Sequence, residues 1–109
     1  LHYSSCWKID FASFPQQTAA RALVLVNPNN PTGNFVDCDE KKKLNAFCSQ
    51  AECALISDEV FLDYAWSEGS SAESFAANEE ALTFTLSGVS KILALPQMKL
   101  SWIVVSGPP

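Results

Sequence analysis

Apolar residues come in short, separate runs along the chain, and polar clusters divide them. Ala22-Leu23-Val24-Leu25-Val26 is rich in branched side chains and lies between Arg21 and a cluster of Asn and Pro. That profile predicts a strand over 22–26, buried on both faces. "NPNNPTGN" follows and can neither prolong a strand nor begin a helix. Pro28 and Pro31 lack a donor and restrict Asn27 and Asn30, and Gly33 permits positive φ. Asp37 with Glu40 three residues on is a capping-box pair that predicts a helix. Leu44, Phe47, Cys48 and Ala51 then recur at helical spacing on one apolar face, with Lys41, Lys42 and Lys43 on the solvated side. Further strands are predicted at Cys53–Ile56, at 82–86 and at 100–105, and a polar, Ser-rich loop at 66–80. Strand, helix, strand, loop, strand implies an α/β fold with a mostly parallel sheet and flanking helices.

The 109 residues suffice for one domain, and 48% hydrophobic with 17% charged residues supports a packed core. A net charge of -5 argues against nucleic acid and anionic membranes as partners, which require a basic face. Apolar runs are too short to cross a bilayer, and no basic region followed by an apolar one suggests a signal peptide. Cys6, Cys38, Cys48 and Cys53 form no CxxC, and His2 is the lone histidine, so no metal site is expected. Cys48 and Cys53 read as small buried hydrophobes of a reducing cytoplasm. Trp7, Trp66 and Trp102 read as packing groups. The chain starts at Leu1 and stops at Gly107-Pro108-Pro109 just after a strand-like run, so both ends read as cut.

Open parallel sheets bind ligands beyond the carboxyl ends of their strands. Three unusual polar stretches fall there: Asn27–Gly33, Ser57–Asp58 and Ser87–Lys91. They offer amides, a carboxylate, and a lysine among serines, a set suited to a small polar ligand with a positively charged part.

"LVNPNNPTG", "ISDEVF" and "LSGVSK" followed by "LPQMKLSW", in this order and spacing, resemble class I/II aminotransferases, pyridoxal 5'-phosphate (PLP) enzymes of fold type I. "WKIDFASF" extends the resemblance over nearly the whole chain. Residues 1–109 then correspond to a fragment of the PLP-binding large domain, aspartate aminotransferase-like in fold, with the last strand antiparallel. The resemblance implies transfer of an amino group between an amino acid and a 2-oxo acid, in a cytoplasmic homodimer. It assigns Lys91 to the Schiff base with PLP and to proton transfer, Asp58 to the pyridine nitrogen and Asn30 to the phenolic oxygen. Lys99 takes the position of a phosphate-binding Arg, Ser90 that of a phosphate-contacting serine, and Ser87 is a weaker candidate because Gly88 stands where many relatives have that serine. Phe61 replaces the usual Tyr, Lys99 the usual Arg, and Ser101 the Gly usual before Trp102. Asn27 and Asn29 are expected to bond backbone. Glu59 is expected to face away as an ordinary strand-end acid, and Tyr64 is a candidate to replace the hydroxyl missing at Phe61. The alternatives on the same fold are an amino acid decarboxylase or lyase, and a non-catalytic PLP-binding regulatory domain.

Overall fold

The computed structural model describes residues 1–3, 5–64 and 73–109. The expected loop at 66–80 therefore falls partly outside the described residues, and Trp66 falls there entirely.

Four strands form one sheet: β3 (Ala22–Val26), β4 (Ala54–Asp58), β5 (Thr83–Gly88) and β6 (Ser101–Ser106), side by side in that order. β3, β4 and β5 run parallel, and β6 returns antiparallel to β5. Two short strands, β1 (His2–Tyr3) and β2 (Trp7–Lys8), pair antiparallel apart from the sheet. The expected mostly parallel sheet with an antiparallel last strand is thus observed.

α1 (Cys38–Gln50) crosses from β3 to β4. Asp37 accepts from the Glu40 backbone N–H at 2.8 Å, and the Glu40 carboxylate accepts from the Asp37 N–H at 3.2 Å, so both arms of the capping box are made. The other Glu40 oxygen accepts from the Ile9 N–H at 2.8 Å, which ties the N-terminal segment to the helix start. Lys8 bonds the Asp37 carboxylate, and that bond, followed by the Glu40 N–H, holds the carboxyl below its usual range. Asp37→Ala should cost about 1 kcal/mol, read as a lower urea midpoint. Because the folded-state pKa is depressed, this contribution is present above the ordinary carboxylate range. It fades as pH falls through the lowered value, so wild type and variant should converge in acid.

Register shows which side chains share a face. Leu23 and Leu25 of β3, Leu55 and Ser57 of β4, and Thr83 and Thr85 of β5 point toward α1. There Leu44, Cys48, Leu55 and Phe75 are fully buried, with Leu23, Leu25, Phe47 and Ala51 packed around them. The expected apolar face of α1 is therefore the one that closes the core. Cys48 and Cys53 are both buried, as expected, and burial pushes the Cys48 thiol up to about 12.

Three features differ from expectation. Val24 is 70% exposed, so β3 is not buried on both faces. It begins the row Val24–Ile56–Phe84–Val105, which lies on the sheet face opposite α1, and among the described residues β3 is the outermost strand on its side of the sheet. Lys41 is not a freely solvated lysine. It is half-buried, with Nζ 5.1 Å from the Phe75 ring centroid and 3.6 Å from the Glu73 carboxylate. Trp7 and Trp102 remain 39% and 43% exposed, so neither is a core residue.

Candidate functional site

The carboxyl ends of the three parallel strands lie side by side, and Asn27–Gly33 follows β3 as expected; Ser57–Asp58, by contrast, are the last two residues of β4, which runs past the expected Ile56, and Ser87 and Gly88 close β5 before Val89–Lys91. After β3, the Asn27–Pro28 and Asn30–Pro31 peptide bonds are cis. The Asn29 N–H donates to Asn34 O at 2.9 Å and the Gly33 N–H to Asn29 O at 2.7 Å, with Gly33 at φ +72°, where a Cβ would be strained. Asn27 is 1% exposed; its Oδ1 accepts from the Val36 N–H at 3.1 Å, and its backbone N–H donates to Asp58 O at 2.9 Å. Asn27 thus bonds backbone as expected, whereas the Asn29 amide donates to the Thr32 hydroxyl, a side chain, at 2.7 Å. The loop is anchored through Asn27 and Asn29, and Asn30 is presented at its exposed rim.

Asp58 closes β4 on the face opposite α1, in the row Val26–Asp58–Leu86–Ile103. Its Oδ1 accepts from the Val60 N–H at 3.1 Å, which orients the carboxylate and leaves the second oxygen for another donor. Glu59 faces the other way, as alternation requires, but it is no ordinary strand-end acid. It is 3% exposed; Oε1 accepts from the Ser57 hydroxyl at 3.0 Å and the Phe75 N–H at 2.8 Å, and Oε2 from the Ser74 hydroxyl at 2.6 Å. This carboxylate fastens the segment at 74–75 beneath the strand end that carries Asp58.

β5 leads directly into a single helical turn, α2 (Val89–Ile92), which carries Ser90 and exposed Lys91. Gly88 joins the two. A Cβ there would come within 2.9 Å of Leu100 O and 3.1 Å of Ser101 Cβ, so this chain has no room for a serine at 88. The serines that flank Gly88 at this strand end are Ser87 and Ser90. A 3-10 turn at Pro96–Met98 leads to Lys99 at φ +52° and into β6, where Ser101 pairs with Gly88. Lys99 consequently lies at the same end of the sheet as Lys91.

A cavity of about 260 Å³ opens between the first two loops, lined by Asn30, Pro31, Gly33, Phe35, Phe61 and Tyr64 among others. Lys91 does not line it but touches two of its wall residues: its Nζ stands 5.5 Å from the Phe61 ring centroid, and its backbone O accepts the Tyr64 hydroxyl hydrogen at 2.8 Å. Asn30, Phe61, Tyr64 and Lys91 are thus one neighbourhood, with Asp58 three residues before Phe61 at the adjoining strand end. Of the expected site residues, Asn30 lines this cavity; Asp58, Lys91, Lys99, Ser87 and Ser90 share the end of the sheet but do not line it. The contacts of Phe61 and Tyr64 with Lys91 escape a linear reading because the partners lie 30 and 27 positions apart, respectively; parallel pairing of β4 and β5 is what joins them.

The family profile "Aminotransferase class I and II" matches residues 2–107, and the chain belongs to this family. It is 25% identical over 104 residues to an alanine aminotransferase of Mycobacterium bovis, covering 94% of this chain and 24% of that protein. The fold matches an aminotransferase from Escherichia coli with TM-score 0.70 and 29% identity, over 81% of this chain and 22% of that one. It also matches a PLP-bound C-S lyase from Staphylococcus hominis, with TM-score 0.66 and 26% identity over 78% and 22% of the two chains. The chain therefore spans about a quarter of the length of such relatives. The family is one of PLP proteins.

The donor set fits that cofactor chemically. A carboxylate suits a pyridinium nitrogen, an amide a phenolic oxygen, an amine an aldehyde, and hydroxyls with a cation suit a phosphate.

Proposed function

We propose that this chain is the central part of the PLP-binding large domain of an aminotransferase, acting between an amino acid and a 2-oxo acid. The observation that carries the reading is the convergence of three strand ends, in which Lys91 after β5 contacts Phe61 and Tyr64 after β4, and these share a cavity wall with Asn30 after β3.

Lys91 would hold the cofactor aldehyde through its amine, with loss of water, and, once displaced by the substrate amine, would move the proton at the substrate α-carbon. Asp58 keeps the pyridine nitrogen protonated, its own geometry set by the Val60 N–H. Asn30 donates its amide to the phenolic oxygen. Ser90, Ser87 and Lys99 hold the phosphate; a lysine at 99 supplies a point charge without the two-pronged grip of an arginine. PLP itself contributes an electron sink for the bond broken at the α-carbon. A homodimer in the cytoplasm belongs to the same reading and is carried by the resemblance alone. Among the described residues, no helix is long and apolar enough to cross a membrane.

The likeness to a C-S lyase favours one second reading, elimination from an amino acid on the same site. Stoichiometry separates the two. An aminotransferase mixed with amino acid alone should release about one 2-oxo acid per bound cofactor and stop until a 2-oxo acid acceptor is added. Continuous product release without acceptor marks a lyase and sinks the proposal.

A further inference from the structure

The segment after β4 grips Lys91 at two points. Phe61 presents its ring to the ammonium, with Nζ 5.5 Å from the centroid, inside the range of a cation–π contact. Tyr64 donates its hydroxyl hydrogen to the Lys91 carbonyl at 2.8 Å. The two rings meet edge to face, with centroids 6.0 Å apart and an interplanar angle of 70°. The Lys91 oxygen also accepts from the Leu93 N–H and from the Ala94 N–H, the latter at 3.2 Å, so the phenol adds a further hold on the end of α2.

We propose that Phe61 and Tyr64 are positioning residues for Lys91: the Phe61 ring steers the amine, and the Tyr64 hydroxyl fixes the backbone from which it springs. The proposal rests on Lys91 being the cofactor lysine. It also alters the part expected of Tyr64. A phenol has one hydrogen to give, and here it goes to Lys91 O. While that bond stands, Tyr64 does not donate to the cofactor's phenolic oxygen in place of the hydroxyl missing at 61. Phe61 likewise exchanges a cofactor hydrogen bond for a face that contacts the lysine. The steering comes from the neighbouring strand end, since β4 and β5 are parallel and the segment after β4 lies beside α2.

The test uses the full chain stripped of PLP and a trace of a water-soluble acetylating ester. Peptide mass spectrometry then gives the ratio of labelling at Lys91 to that at Lys42, an exposed lysine of α1. Phe61→Leu should raise the ratio about two- to fivefold, the size expected on losing an exposed cation–π contact. Tyr64→Phe should raise it in the same direction, and Phe61→Tyr, which keeps the ring face, should leave it unchanged. An unchanged ratio in both Phe61→Leu and Tyr64→Phe would overturn the proposal. So would a rise shared equally by Lys42, which marks general loosening. Because the assay contains no cofactor, its failure leaves the cofactor assignment standing. Conversely, a Lys91→Ala protein that still bound PLP covalently would overturn the assignment without touching the labelling ratio.

Discussion

Replacing Lys91 with alanine in the full chain should abolish the visible absorbance of lysine-linked PLP and leave no borohydride-stable cofactor on the peptide containing residue 91. The amine sits on an exposed helical turn directly after β5, where it can meet an aldehyde lying over the strand ends. Alanine leaves that aldehyde without its covalent partner, while the residues proposed to hold the ring and phosphate, Asp58, Asn30 and Ser90, remain. Cofactor should therefore still associate, more weakly and without the lysine-linked spectrum. Amino-group transfer should fall by at least about 10²–10⁴-fold, the worth of a positioned proton-transfer group alone. Retention of the linked spectrum in Lys91→Ala would remove the basis of the functional reading.

Replacing Glu59 with alanine should be the most destabilising single change near the site. It strips the acceptor from two hydroxyls and one backbone N–H, those of Ser57, Ser74 and Phe75. Phe75 is 0% exposed and Ser57 likewise, so water does not readily replace the lost oxygens. Leaving buried donors unpaired costs about 1–3 kcal/mol each, and losses in one network are not additive, so a total of about 3–5 kcal/mol is expected. Glu59→Gln keeps one oxygen for Phe75 and Ser57, and the Ser74 hydroxyl can turn to accept from the new amide; it should cost about 1–2 kcal/mol. Urea unfolding of the three proteins measures this directly. Equal midpoints for wild type and Glu59→Ala would show that the carboxylate anchors nothing.

Glu59 also marks where a linear reading stops. Alternation along the strand correctly turns Asp58 and Glu59 to opposite faces, but it says nothing about what waits on each. The partners of Glu59 lie 15 and 16 residues further on, in a stretch whose composition reads as loop. Phe75 is the largest fully buried side chain, yet it stands among Ser, Ala, Asn and Glu with no periodic neighbours to announce it. Where the signal is local, agreement is close. β3 has the bounds its branched run implies, and α1 starts at the capping box that Asp37 and Glu40 spell out. Burial of β3 agrees less, because a run of Val and Leu does not say which of its faces the described residues cover; they cover the Leu23 and Leu25 side and leave Val24 exposed. The proposed site residues rest on three motifs in register, carried by the resemblance. The grip on Lys91 does not, because it arises from the parallel pairing of strands rather than from any motif.

Strand order in the sheet repeats strand order in the chain. A chain leaving the ribosome can therefore add β4 to β3, β5 to β4 and β6 to β5, each arriving beside a partner already made. The proposed cofactor groups emerge in the same sequence, with Asn30 after β3, Asp58 at the end of β4, Ser87, Ser90 and Lys91 around the end of β5, and Lys99 just before β6. Synthesis thus lays down the two groups proposed for the ring before the reactive amine, and the phosphate cation of this chain only after it.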